Sequence, residues 1–293
     1  MTSASPSNLG PLNPGNVVSA SIRLYRDRFK MYLTLSAKAY LWLIVPIYGW
    51  AKYCMYTGLM SRLAFQELMN QPETPREAYR QVSPKIWSFL GLGCLLLLIF
   101  AGAYLAIVLV SLLAGFVVGG LASYALTAIF GPGGGTFAIV ATTLAALAVI
   151  LLALLWIVGR LIIAEVPMAV EPQVDPSTSI GRSWQLSKKS IGRIQFVVMA
   201  AYLITLPITI LMTIAPQIAV VFVEPGSASS AALNLLILVL SLAAGVLTLP
   251  FWQVVKGVLY YDLRSRREGL DLKLATDSVV DTAPDTLSDE PIQ

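Results

Sequence analysis

The alternation of apolar and charged stretches divides this chain before any motif is considered. Ile86 to Gly159 carries no charged side chain, and Ile194 to Val255 carries only Glu224. A water-soluble domain cannot leave such lengths uncharged, because its surface must be wetted somewhere. Each run is too long for one membrane crossing and suits two, at roughly 20 apolar residues per span. Gly119-Gly120 and the Gly131-Pro132-Gly133-Gly134-Gly135 cluster divide the first run; Glu224-Pro225-Gly226-Ser227 divides the second. The pattern predicts helices over 85–118, 136–163, 190–222 and 230–260.

The first apolar stretch, 31–69, is interrupted by Lys38, Lys52 and Arg62, with Pro46 and Gly49 near its middle. It fits either one proline-kinked helix or a hairpin turning at Pro46–Gly49. Charge placement selects the hairpin. Arg23, Arg26, Arg28 and Lys30 precede the stretch, and Arg62, Arg76, Arg80 and Lys85 follow it; Arg182, Lys188, Lys189 and Arg193 separate the later pairs, and Arg264, Arg266 and Arg267 follow the last. The other turns, 119–135 and 223–230, hold no Lys or Arg, as the positive-inside rule expects. An even number of crossings then brings both flanks of residues 31–69 to the cytoplasm. The expected fold is all-α: a polytopic bundle of about six membrane helices in three hairpins, both termini cytoplasmic, with the first hairpin short enough to span only in part.

Composition agrees, with 57% hydrophobic residues, 12% charged and a mean hydropathy of +0.74. The net charge of +4 is spread in small groups beside apolar runs, so nucleic acid is not expected as a partner. Cys54 and Cys94 lie in apolar surroundings and the chain has no histidine, which leaves little material for a metal, thiol or cofactor site; none is expected. Residues 1–13 read as a polar tail without the basic and apolar regions of a cleavable signal, and 276–293 as an acidic disordered tail. The membrane domain occupies 14–275.

Within it, a capping residue precedes proline three times: Asn13-Pro14, Thr74-Pro75 and Asp175-Pro176. Proline suits the first helical position, where its missing N–H costs nothing. Each cap opens a basic amphipathic segment. Val18, Ile22, Tyr25 and Phe29 form one apolar stripe, repeated at the same intervals by Ile180, Trp184, Ser187 and Ile191; Ala78 and Val82 make a shorter version. Pro46, Lys52, Tyr56, Leu59, Ser61 and Arg62 also match Pro250, Lys256, Tyr260, Leu263, Ser265 and Arg266 at one offset, and Arg160 takes the place of Lys52 in a middle copy whose proline is replaced by Leu154. Three units are expected, over 14–74, 75–175 and 176–275, each an interfacial basic helix followed by a hairpin.

Three segments carry a family resemblance: Ile22–Phe29; Glu165-Val166-Pro167-Met168-Ala169-Val170-Glu171 with Ile180–Lys188; and Leu259–Leu272. Across 14–273 the chain resembles the bacterial membrane domain fused to some glycerophosphodiester phosphodiesterases and related six-helix membrane proteins of unknown function, cyanobacterial versions most of all. The resemblance implies an all-helical membrane scaffold in a bacterial inner or thylakoid membrane. In the fused enzymes hydrolysis belongs to a separate soluble domain with metal-binding carboxylates and a catalytic histidine. Lacking any histidine, this chain is not expected to inherit that activity.

The functional expectation is therefore a non-enzymatic scaffold or organising factor. It would contact anionic lipid, and a membrane protein partner, through Arg23, Tyr25, Arg26, Arg182, Trp184, Lys188, Lys189 and Arg193. An ionisable group at mid-membrane costs about 2.5–3.5 kcal/mol and marks function unless it escapes to the headgroups. Lys38, Lys52, Arg160 and Lys256 sit near predicted helix ends and read as snorkelling anchors. Glu165 is too short to snorkel; a pair with Arg160 or Lys256 makes Arg160, Glu165 and Lys256 the candidate intramembrane polar site. The alternative is a small permease or exporter subunit for a hydrophobic or lipid-like solute, which needs a polar path that only Glu165, Gln217, Asn234 and a few hydroxyls supply.

Overall fold

The computed structural model describes residues 13–269 apart from Pro225, and the described residues are all helical. The polar tails expected over 1–13 and 276–293 fall almost entirely outside them. In chain order come α1 (Pro14–Asp27), α2 (Phe29–Trp42), α3 (Tyr48–Leu68), α4 (Pro75–Val82), α5 (Ile86–Ala114), α6 (Gly120–Phe130), α7 (Pro132–Leu161), α8 (Glu165–Val170), α9 (Pro176–Ser187), α10 (Ile191–Thr209), α11 (Ala215–Ala219) and α12 (Ala228–Glu268).

Four continuous helical stretches are long and apolar enough to cross a membrane: 75–130, 132–170, 191–222 and 228–268. Two turns differ from the sequence reading. Gly119-Gly120 does not end a helix; 115–119 is a π-helical segment joining α5 to α6 without a break. The turn is Gly131, at φ +73°, a backbone angle that glycine adopts without strain. A second π-segment, 210–214, follows Pro207 in α10, where the missing N–H disturbs the ladder.

Residues 31–69 form two helices, not one kinked rod. α2 and α3 pack together across the connection 43–47, where Ile47 has φ +60°. Within this connection Leu43 and Val45 donate to Tyr40 and Trp42, and Tyr48 donates to Pro46. Neither helix counts among the four long apolar ones. α2, with 14 residues, is about 21 Å long, against a hydrocarbon core of about 30 Å.

Most of the buried apolar residues gather where α3 crosses the second half of α12. Leu59, Met60, Leu63, Ala64 and Phe65 meet Val254, Val255, Val258, Leu259 and Leu263, with Phe65 stacked 5.4 Å from Tyr260. The helices touch closely because of Gly257: a Cβ there would stand 2.6 Å from the Ser61 carbonyl oxygen. Away from this region the apolar spans have few protein neighbours; Phe116 is 83% exposed and Phe222 84%. Surfaces of that kind need lipid as their solvent.

The three short amphipathic helices each lie on different neighbours. α4 packs on α3; α9 packs on α5, α7 and α8; α1 packs on α10 and α12. All three begin with the expected proline at the first helical position. Thr74 and Glu77 form a capping box, with bonds of 3.3 and 2.8 Å; Asn13 makes no side-chain cap bond, and the Asp175 carboxylate accepts from the Ser177 hydroxyl instead. In α4 the inward face is the expected apolar edge; in α1 and α9 it is offset from the stripe, of which only Val18 and Ser187 are buried. In all three it is the pair three and seven residues after each proline: Val17 and Ser21, Ala78 and Val82, Ser179 and Ser183, all at most 1% exposed. Ile22, Phe29 and Trp184, from the stripe itself, are about two-fifths exposed. Small residues let the short helices lie close, and the larger apolar groups point past the protein.

The Gly257→Ala variant is expected to lose about 1–3 kcal/mol by overpacking against the α3 backbone. Gly102→Ala, with open space around it, should stay within about 0.5 kcal/mol. Unfolding of both in mild detergent checks the difference.

Candidate functional site: a charged layer joining the helix ends

The charges group at the ends of the helices that meet the amphipathic segments. Their arrangement begins with a broken helix. Pro167 cannot donate to the Ile163 carbonyl, so α7 stops at Leu161 and the chain restarts as α8, with Val166 N–H taking the Ile163 oxygen at 3.0 Å. A helix end leaves carbonyls without partners, and the serines of α9 fill that need. Ser179 donates to Ala164, and Ser183 (2.7 Å) and Ser187 (3.4 Å) both donate to Arg160.

α8 then delivers Glu171 to the middle of the layer. Its carboxylate accepts from Arg182 at 2.8 Å and from the Tyr260 hydroxyl at 2.6 Å, with Arg264 3.9 Å away. Arg182 also reaches Glu268 at 2.9 Å, which Arg264 holds at 2.8 Å. Partial burial works against the Arg182 charge, but the hydrogen bond to Glu171 and the charges of Glu171, Tyr260 and Glu268 together leave the guanidinium pKa raised. Arg62 forks onto Glu73, at 2.6 and 2.8 Å, and donates to the Ala169 carbonyl; Lys85 caps the end of α8 through the Met168 and Glu171 carbonyls. Asp262, fully buried, takes Arg193 at 2.9 Å and its i,i+4 neighbour Arg266 at 3.2 Å.

The predicted headgroup contacts separate into two kinds. Arg182 and Arg193 are occupied by carboxylates. Tyr25 donates to the Leu247 carbonyl at 2.8 Å, and burial pushes its phenol up to about 12. Trp184 stacks edge-on against Trp156, 5.5 Å between rings. Arg23, Arg26, Lys188 and Lys189 are exposed, Arg26 beside an equally open Asp27. Exposed with them are Lys30, Arg76 and Arg80.

The intramembrane trio divides too. Glu165 takes Lys256 at 2.7 Å, one of the two partners the sequence allowed, while Arg160 lies between Trp156 and Trp184, its guanidinium 5.1 and 4.8 Å from their rings. The anchor reading holds only for exposed Lys38. Lys52, 9% exposed, bonds the Tyr79 hydroxyl at 2.6 Å under the rings of Trp42 and Tyr48, and Arg160 and Lys256 are likewise turned into protein contacts. A phenol and a carboxylate answer Lys52 and Lys256, whereas Arg160 has two indole faces and one bond of 3.3 Å to the Trp184 carbonyl.

Sequence reasoning did not single out Glu171, Arg62 or Lys85 as a layer, nor the inward serines. The repeated intervals held part of the signal, since Ser183 and Ser187 flank Trp184 in the third copy. Among the described residues no group of three or more His, Cys, Asp and Glu could hold a metal ion. A cavity of about 1030 Å³ opens sideways between the π-segment 115–119 and α7, and its polar lining is limited to Ser111, Ser123, Thr142 and Thr143. It offers neither a nucleophile nor an acid–base pair.

No protein-family model, no curated protein and no solved structure matches this chain. Its residues alone carry the functional reading.

The Glu165–Lys256 pair is mostly buried, with side chains 17% and 20% exposed. Lys256→Met is expected to destabilise by about 3–5 kcal/mol, because it strands a carboxylate. The double variant Lys256→Met/Glu165→Leu should recover most of that loss. A double-mutant cycle on detergent-solubilised protein measures the coupling.

Proposed function

We propose that this chain is a non-enzymatic membrane scaffold whose short amphipathic helices form a basic collar against anionic headgroups at the cytoplasmic face. One observation carries the reading. Three such helices, begun by the same proline and buried on the same two positions, leave Arg23, Arg26, Lys30, Arg76, Arg80, Lys188 and Lys189 exposed beside spans whose apolar flanks lack protein neighbours. Helices with apolar edges and free cations at the end of a span belong at the headgroup boundary. Each exposed cation there contributes about 1 kcal/mol of attraction to anionic lipid.

The packing supports three units closing in a ring. α4 lies on the hairpin of the first unit and α9 on that of the second, while α1 returns to α10 and α12 of the third. Each amphipathic helix thus covers the hairpin before its own. The first hairpin reads as re-entrant: α2 is too short to cross, and the connection 43–47 bonds its own backbone, as a turn inside lipid requires. Four crossings plus one re-entrant hairpin keep both ends of the membrane domain on one side. Bare apolar flanks and the paired layer suit a platform for lipid and membrane partners better than a solute path. The likeness to the phosphodiesterase membrane domain, carried by Glu165–Glu171 and Ile180–Lys188, points to the same scaffold role.

Replacing Arg23, Arg26, Lys188 and Lys189 by glutamine should weaken association with phosphatidylglycerol by about 1 kcal/mol per residue and flatten its salt dependence. Lipid exchange measured at two ionic strengths tests this, and unchanged retention counts against the collar. In a chain lacking Cys54 and Cys94, a cysteine at Gly15 and one at Gln81 should react with impermeant maleimide from the same side. A cysteine at Ile44 should react from neither.

A further inference from the structure

Arg160, Lys52 and Lys256 occupy the same place in the three units, yet only Lys256 has a carboxylate, Glu165 at 2.7 Å. Lys52 has at least a phenol at 2.6 Å. Arg160 is the least provided for. It is 8% exposed, its Nη1 makes one long bond of 3.3 Å to the Trp184 carbonyl, and its Nε has no partner. A guanidinium stays charged at any physiological pH, and the faces of two indoles do not replace the hydration it has lost. The rings of Trp156 and Trp184 flank it and are themselves 41% and 39% exposed, so the buried cation lies against two side chains that reach the protein surface. Lys188 lies four residues after Trp184, one turn along the same helix face, and is exposed.

We propose that Arg160, Trp156, Trp184 and Lys188 form a binding site for the phosphate of one anionic phospholipid. The guanidinium edge would take phosphate oxygens, the indoles would bracket the glycerol at the depth where tryptophan normally resides, and Lys188 would answer the second charge of the headgroup surroundings. This rests on the reading that α9 lies at the headgroup boundary, but it differs from the collar in kind. The collar is a diffuse attraction of open cations, whereas this site holds one lipid through a buried fork. It also explains why the middle unit carries arginine where the other two carry lysine: only arginine offers two parallel donors to a phosphate.

The test uses the full chain in mild detergent, delipidated stepwise and examined by native mass spectrometry with phosphatidylglycerol, phosphatidylcholine or inorganic phosphate added. The wild-type chain should retain one phosphatidylglycerol after other lipid is stripped. Arg160→Gln should lower that affinity at least tenfold and Arg160→Lys several-fold, while the collar variant Arg23→Gln/Arg26→Gln/Lys189→Gln keeps the lipid. Retention unchanged in Arg160→Gln overturns the site. Equal retention of phosphatidylcholine removes the anionic requirement, and displacement by inorganic phosphate would make the ligand a free anion; either result overturns the proposal as stated. Should Arg160→Gln fail to fold, wild-type tryptophan quenching decides: brominated phosphatidylglycerol must quench more strongly than brominated phosphatidylcholine, and Trp184→Phe must reduce the difference. Loss of lipid in the collar variant alone, with Arg160→Gln unaffected, would leave the collar standing and this site refuted.

Discussion

Charge cannot be left unmatched where an apolar helix leaves water, and that requirement organises this molecule. Glu171 shows how it is met. One carboxylate on a short helix after the α7 break gathers Arg182 from α9 and Tyr260 and Arg264 from α12. Removing water from such groups costs several kcal/mol per ion, which only close pairing offsets. Pro167 withholds a backbone donor at the break, and the serines of α9 satisfy carbonyls exposed there. A proline, a carboxylate and three hydroxyls thus fix how α7, α8, α9 and α12 meet.

Stability is therefore concentrated at one end of the helices. One close crossing, α3 on α12 through Gly257, lies in the same region as the ion pairs, with Phe65 against Tyr260 linking apolar core to charged layer. Beyond it the spans diverge into surroundings where neighbouring protein is sparse. Helices gain little by burying apolar surface against each other in hydrocarbon, since lipid tails are equally apolar, so the tight packing sits where polar groups and small residues can hold it. The wide lateral opening beside the π-segment 115–119 follows from that imbalance.

Legibility in the sequence tracked how local each determinant is. The uncharged runs and the three proline helix starts depend on near neighbours, and all appear in the structure. Gly119-Gly120 misled because glycine permits a turn without requiring one; flanked by apolar residues, the backbone stays helical to keep its own hydrogen bonds, and the chain turns at Gly131, which adopts a positive φ. The amphipathic stripe misled in another way. Hydrophobicity identified a face, but two solvents were available to it, protein and lipid. Serine and alanine took the protein side because they permit close approach, and Ile22, Phe29 and Trp184 took the other. Glu171 was hidden because its partners lie 11, 89 and 93 residues away.

The three related cations show why a scaffold fits these residues better than a conduit. A transport path needs ionisable groups that exchange partners along a line through the membrane. Lys52, Arg160 and Lys256 instead stand one to a unit, and each is held differently: by tyrosine, by tryptophan and by glutamate. On the three-unit reading, one ancestral position has kept its charge while its partner changed. Selection for a shared ion path would have kept the partners alike or aligned them, whereas selection for a charge at a fixed depth constrains only the cation. On the proposed reading, what persists is one cation per unit, and a charge held at a fixed depth favours the headgroup boundary.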